Sequence, residues 1–175
     1  TGIATSVRDF EFDMIVYATG FDALTGAFDR IDFRGVGGQR LKEKWAEGAE
    51  TFVGMSVEGF PNLLMLLGPH TALGNIPRSI EYNVEWVTDL LRFMRKHGLT
   101  RIDATPEGVE TWMKTVHEAS VGLLSNDVNS WFTGINTNVD GKQTRRIARY
   151  SGSAPAYRAR CDEVAAANYR EMVLS

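Results

Sequence analysis

The sequence predicts an α/β chain in which a strand-rich first part forms the edge of a sheet and a helical lobe is laid on it. Three observations carry this. "FEFDMIVYAT" (residues 10–19) is an apolar, strand-forming run that stops at Ala18-Thr19-Gly20. "NLLMLLG" (62–68) is apolar on both faces, as suits a strand covered on two sides. From Asn75 onward the apolar residues recur at three and four, the helical period.

Taken in order, the first strand covers 10–19 and ends against a glycine that lets a ligand approach the backbone. On "ATG" alone, a plain strand-to-loop glycine is the better reading. "RIDFRG" (30–35) is a second, shorter strand, closed by the turn-rich "GVGG". "LKEKWAEG" reads as a short helix stopped by Gly48. "TFVGMS" and "NLLMLLG" are strands on either side of the "EGFPN" turn.

A long helix then starts at Asn75 and Pro77 and ends at Gly98, with Ile80, Val84, Val87, Leu91 and Met94 expected inward. Its first turn favours partial negative charge, such as the pyrimidine side of a reduced flavin. The plainer alternative is an ordinary capped helix. Thr105-Pro106 opens the next helix, carrying Val109, Trp112, Met113, Val116 and Ser120 inward. A loop-rich stretch follows, holding the Trp131-Phe132 pair: packing, or a stacking surface for an aromatic ligand. Lys142, Arg145 and Arg146 beyond it are candidates for phosphate contacts; taken alone, a pinned loop with solvated charges is the better reading. The last helix runs from about Pro155 to Tyr169.

Composition sets limits. Across 175 residues, 43% are apolar and 23% charged, enough for a real core. Net charge is -3 and pI about 5.6, so nothing attracts nucleic acid or an anionic membrane in bulk. Cys161 stands alone in a helical pattern, excludes an internal disulfide, and reads as a buried inert thiol. No visible signal peptide and no apolar run of spanning length point to a cytoplasmic source. His70, His97 and His117 form no metal set, and no Ser-His-Asp arrangement is legible. "GVGGQR" fails as a dinucleotide fingerprint because Arg40 stands where the third glycine belongs.

"DMIVYATGFDALTGAFDRIDFRGVGG", "LKEKWAEG", "FPNLLMLLGPHTALGN", "SIEYNVEWVTDLL", "SWFTG" and "YRARCDEVAAANY" follow one another in an order that resembles the C-terminal end of Baeyer–Villiger monooxygenases. The resemblance covers nearly the whole chain. It implies the C-terminal part of an FAD-binding doubly wound domain, represented by edge strands and incomplete, at residues 1–75. Residues 76–175 would form a helical lobe with an NADP and substrate loop around 125–150. The implied activity uses NADPH and O2 to insert oxygen next to a ketone carbonyl, giving an ester or lactone, with FAD and NADP as cofactors. Thr19, Gly20, Asn75 and Ile76 would lie against FAD, Trp131 and Lys142 against NADP, and Ala72, Leu73 and Ala148 against the substrate.

There are departures. Phe132 stands where many members have Tyr, and "INTNVDGK" is longer than the usual run to Gly-Lys. Both GxGxxG turns, the Phe-Gly-His-Trp signature and the family's catalytic arginine are not found, so no catalytic residue is assigned. A first residue other than Met admits either initiator removal or a longer parent, and these motifs favour the parent. The expected partner is therefore the missing N-terminal part of the same polypeptide, and the chain alone is expected to be inactive. An N- or S-oxygenating flavin monooxygenase is the second reading, and a free-standing binding module the third.

Overall fold

The computed structural model describes residues 1–18, 20–72, 74–137, 139 and 144–175. It is an α/β arrangement of helices with two small antiparallel sheets. Strand β1 (Gly2–Ala4) pairs with β2 (Asp9–Glu11), with Ile3 opposite Phe10. The Thr5 hydroxyl closes the turn by donating to the Arg8 carbonyl at 2.7 Å.

The strand expected over 10–19 is not formed beyond Glu11. Residues 14–18 carry no regular structure, and Met14, Val16 and Tyr17 are 79%, 77% and 82% exposed. A strand's hydrogen bonds are made by its neighbours, and no described strand lies beside this segment. The second expected strand is reduced to one bridge between Arg34 and Arg40 across the Val36–Gly38 3-10 turn.

Short helices α1 (Gly26–Asp29) and α2 (Leu41–Lys44) meet over a minor core of Leu41, Trp45, Val57, Phe60 and Met65. Phe28 meets the Trp45 ring edge to face at 5.5 Å. The expected helix at "LKEKWAEG" is therefore present, and Gly48 follows it at φ 126°.

Residues 51–57 are fully buried, yet they form a reversal rather than the expected strand, with one bridge between Phe52 and Ser56. Gly54 causes it. Its φ of 70° is left-handed, and a Cβ there would sit 2.4 Å from Thr71 Cγ2 and 2.8 Å from the Thr71 nitrogen. Residues 62–68 likewise form no strand. Their polar groups are satisfied singly: the Met65 amide donates to the Met55 carbonyl, and the Leu67 amide to Asn83 Oδ1.

Helix α3 (Ile76–His97) begins at Asn75, whose side chain accepts from the Arg78 amide, and ends at left-handed Gly98. Its buried face is Asn83, Trp86, Leu90 and Met94; of the stripe expected from sequence, Met94 is buried and Val87 packs half-buried against the core. Ile80, Val84 and Leu91 are outward, because apolar residues occupy two faces of this helix and the main core takes the Trp86 face. Strand β3 (Ile102–Ala104) leads into α4 (Pro106–Glu118), capped by Thr105 and burying Val109, Trp112 and Val116 as expected. Helix α5 (Ala154–Ala166) is capped by Ser153 and buries Tyr157, Cys161 and Val164. Strand β4 (Met172–Leu174), not anticipated, returns antiparallel to β3.

One core joins α3, α4 and α5 to Phe52, Val53, Met55 and Ala72. Among the described residues no helix is long and apolar enough to cross a membrane.

Candidate functional site

A cavity of about 550 Å³ lies between residues 22–30, the end of α2, residues 131–136 with Val139, and residues 144–148. Trp131 and Ala148, singled out separately from the sequence, both line it. The wall they share is built from a turn and a strap. Trp131–Thr133 is a 3-10 turn held by a reciprocal cap: the Ser130 amide donates to Thr133 Oγ1 at 3.1 Å, and the Thr133 amide to the Ser130 carbonyl at 2.9 Å. Gly134 ends it at φ 73°, where a Cβ would press on Arg146 backbone atoms at 3.0 and 3.2 Å. Only glycine fits there without strain.

The strap, residues 144–148, runs alongside. The Arg146 amide donates to the Thr133 carbonyl at 2.8 Å and the Ala148 amide to the Phe132 carbonyl at 3.0 Å. Trp131 is 39% exposed, and its ring lies 3.8 Å from that of Phe132. The Arg149 guanidinium covers Phe132 at 4.3 Å and donates to Ser125 Oγ at 3.1 Å. A half-exposed indole braced by a second ring and a cation presents a face for stacking.

The rim carries both signs of charge: Arg30, Lys42 and Arg146 with Asp22, Asp29 and Glu47. Arg146 pairs with Glu47 at 3.3 Å. Arg145, also a phosphate candidate, instead holds the loop, donating to the Asn126 and Val128 carbonyls and to Asn129 Oδ1.

Among the described residues, the other sequence-selected positions are not part of this cavity's lining. Gly20 is exposed at φ 77°, with nothing within 4 Å of where a Cβ would stand, two residues before the Asp22–Gly26 rim. Asn75 and Ile76 sit at the start of α3. There the Asn75 cap occupies the Arg78 amide and Pro77 has no N–H, so Ile76 is the first-turn donor that neither removes. Ala72 is buried and bridges in parallel to Tyr150, two residues beyond Ala148. Thr19, Leu73 and Lys142 fall outside the described residues.

Sequence reasoning missed His70, which it noted only as belonging to no metal set. The residue is fully buried. Its Nε2 lies 2.9 Å from the Ile147 carbonyl and its Nδ1 3.0 Å from Thr51 Oγ1. A carbonyl only accepts, so Nε2 carries the proton and the Thr51 hydroxyl donates to Nδ1. Burial pushes its pKa down to about 4, opposed in part by the bond to Ile147. A polar Pro69-His70-Thr71 step directly after an apolar segment was the available signal.

Burial likewise lifts the Cys161 thiol to about 12, as expected for an inert thiol. No group of metal-ligating side chains occurs among the described residues. The arrangement can bind and orient an aromatic, partly anionic ligand: a stacking ring, a cation beside it, and a wall fixed to the core.

No protein-family model matches the chain. Over 168 residues it is 40% identical to an acetone monooxygenase (methyl acetate-forming) of Gordonia, covering 94% of this chain and 31% of that protein. It is 36% identical to 2-oxo-Δ3-4,5,5-trimethylcyclopentenylacetyl-CoA monooxygenase of Pseudomonas putida, covering 99% and 32%. A phenazine N-monooxygenase of Lysobacter antibioticus is also 36% identical, covering 95% and 30%. Among solved structures, a closed cyclohexanone monooxygenase superposes with a TM-score of 0.89 at 35% identity, covering 98% of this chain and 32% of that one. OTEMO in complex with FAD and NADP gives 0.88 at 35%, covering 99% and 32%. The chain thus spans about a third of the length of these relatives.

Proposed function

Because the chain is homologous over nearly its whole length to the Baeyer–Villiger, cyclohexanone-type flavin monooxygenases, we propose that it serves as the flavin-side C-terminal piece of such an enzyme. The reaction is a ketone with NADPH, a proton and O2 giving an ester or lactone, NADP+ and water. FAD, when bound, supplies the hydride acceptance and the oxygen chemistry. This chain's residues bind and orient.

The observation that carries the reading is the meeting of Trp131 and Ala148 on one cavity wall with Arg146 beside them. Trp131 offers its ring to the nicotinamide dinucleotide, Arg146 and Lys142 serve its phosphates, and Ala148, Ala72 and Leu73 shape the ketone site. Thr19, Gly20, Asn75 and Ile76 face FAD. The open backbone at Gly20 and the Ile76 amide suit a flat ring approaching closely.

Residues 1–75 in this reading belong to a doubly wound FAD-binding domain as its edge, and 76–175 form the helical lobe. The outward apolar run Met14–Tyr17 supports that placement: a strand-forming segment left exposed is a surface that other strands cover. The partner is a polypeptide carrying the rest of the relatives' length.

Two measurements test this. Purified chain, given NADPH and cyclohexanone, is expected to consume no NADPH, and the full-length parent is expected to form the lactone. Steady turnover by the chain alone would overturn the proposal. Val16→Asp is expected to change the stability of this chain by less than about 0.5 kcal/mol, since the side chain is exposed, while crippling FAD retention in the parent. Unchanged FAD content there would refute the packing surface.

The phenazine N-monooxygenase likeness favours one alternative, oxygen transfer to an amine or sulfide nitrogen or sulfur. Product analysis on the parent separates the two: an ester from a ketone, or an oxide.

A further inference from the structure

We infer that His70 is a positioning residue that clamps the 146–148 end of the strap to the core and, through it, fixes the Trp131 face of the cavity. The two edges of the strap are used differently. Its amides at Arg146 and Ala148 donate outward to the Trp131 turn, at the Thr133 and Phe132 carbonyls. Two of its carbonyls face the other way and are both taken by His70: Ile147 by the ring Nε2 at 2.9 Å, Ala148 by the backbone amide at 3.2 Å. The strap has no strand assignment, so no sheet holds it. His70 is the link between it and the buried reversal at 51–57, because the opposite ring nitrogen accepts from Thr51, which that reversal carries.

Two further observations set His70 apart from an ordinary satisfied core histidine. Its φ is 67°, a left-handed conformation that residues with a side chain seldom adopt and that persists where surroundings enforce it. In addition, the strap it grips supplies Arg146, Ile147 and Ala148 to the cavity, where the Arg146 side chain pairs with the Glu47 carboxylate at the rim while the Ile147 and Ala148 carbonyls are held by His70. With the imidazole removed, the Ile147 carbonyl loses its donor, and the Thr51 hydroxyl is left with the Pro69 carbonyl at 3.2 Å as its acceptor. The strap then keeps the His70 backbone amide, the Arg146–Glu47 pair at the rim and the Ala72–Tyr150 bridge beyond it, and the Trp131 turn gains freedom to shift with the Ile147 segment. The imidazole touches no cavity surface itself, being fully buried behind the strap.

The ligand part of this inference rests on the NADP reading above; the clamp does not. Hydrogen exchange of the ligand-free chain, read at the Arg146 and Ala148 amides, tests the clamp first. His70→Leu is expected to speed exchange at those two amides about tenfold, the equivalent of one hydrogen bond, while the Val116 and Val164 amides in α4 and α5 hold. His70→Gln, which keeps a donor for Ile147, is expected to restore protection. Should His70→Leu fail to fold, His70→Asn replaces it, since its shorter amide keeps Thr51 and does not reach Ile147.

NADP+ titration followed by tryptophan fluorescence is the second arm. Wild type and His70→Gln are expected to respond alike, and His70→Leu at least about tenfold more weakly. A uniform rise in exchange across the chain, no rise at Arg146 and Ala148, or failure of Gln to rescue would each overturn the clamp. If exchange behaves as expected and wild type ignores NADP+, the clamp stands and the ligand reading falls.

Discussion

Acid should destabilise this protein through His70, and the size follows from its surroundings. In the unfolded chain the imidazole takes a proton below about pH 6.5; in the folded chain burial delays this to about pH 4. Between those values the unfolded state binds more protons, so stability falls as pH falls through this window. Above pH 6.5 neither state is protonated at His70 and the contribution is flat. Below about pH 4 both are, and no further loss comes from this residue. The separation is about 2.5 units, worth about 3 kcal/mol in all, at a slope approaching about 1.4 kcal/mol per pH unit. Urea melts between pH 7.5 and pH 4 would measure it. Because carboxylates titrate in the lower half of that range, the quantity to read is the difference between wild type and His70→Gln, which share every other group. The difference should shrink toward low pH as the wild type loses its advantage. A difference independent of pH would refute the neutral, enclosed imidazole.

Gly54→Ala should cost about 2–4 kcal/mol in denaturant melts, from a left-handed backbone and the overlap with Thr71, with no compensating space. A stable, soluble Ala variant would mean the 51–57 reversal is not as described. Tyr157→Phe leaves the Val53 carbonyl and Asn83 without the hydroxyl that donates to one at 2.8 Å and accepts from the other at 3.2 Å. The expected loss is about 2 kcal/mol, near 6 °C in Tm, and a change under about 1 °C would show those bonds to be replaceable.

The sequence by itself determined the three long helices and where each of them starts. Asn75, Thr105 and Ser153 cap α3, α4 and α5, with proline in each first turn, and Gly98 closes α3. These signals are local: a helix satisfies its own backbone within four residues, so capping chemistry and spacing suffice to place it. The inward face of α4 was legible for the same reason. So was the family likeness, since motifs in order survive without any contact being known.

Tertiary structure alone decided the rest. "FEFDMIVYAT" and "NLLMLLG" have strand composition, but strand hydrogen bonds come from residues distant in sequence, and here no described strand provides them. Helix α3 has apolar residues on two faces, and only the fit of Trp86, Leu90 and Met94 against α5 and the 51–57 reversal selects one. His70 could not be found from its neighbours, because its partners Thr51 and Ile147 lie 19 and 77 residues away. A ring nitrogen and a carbonyl so far apart in the chain meet only once the core has brought the strap home, and that meeting shapes the cavity.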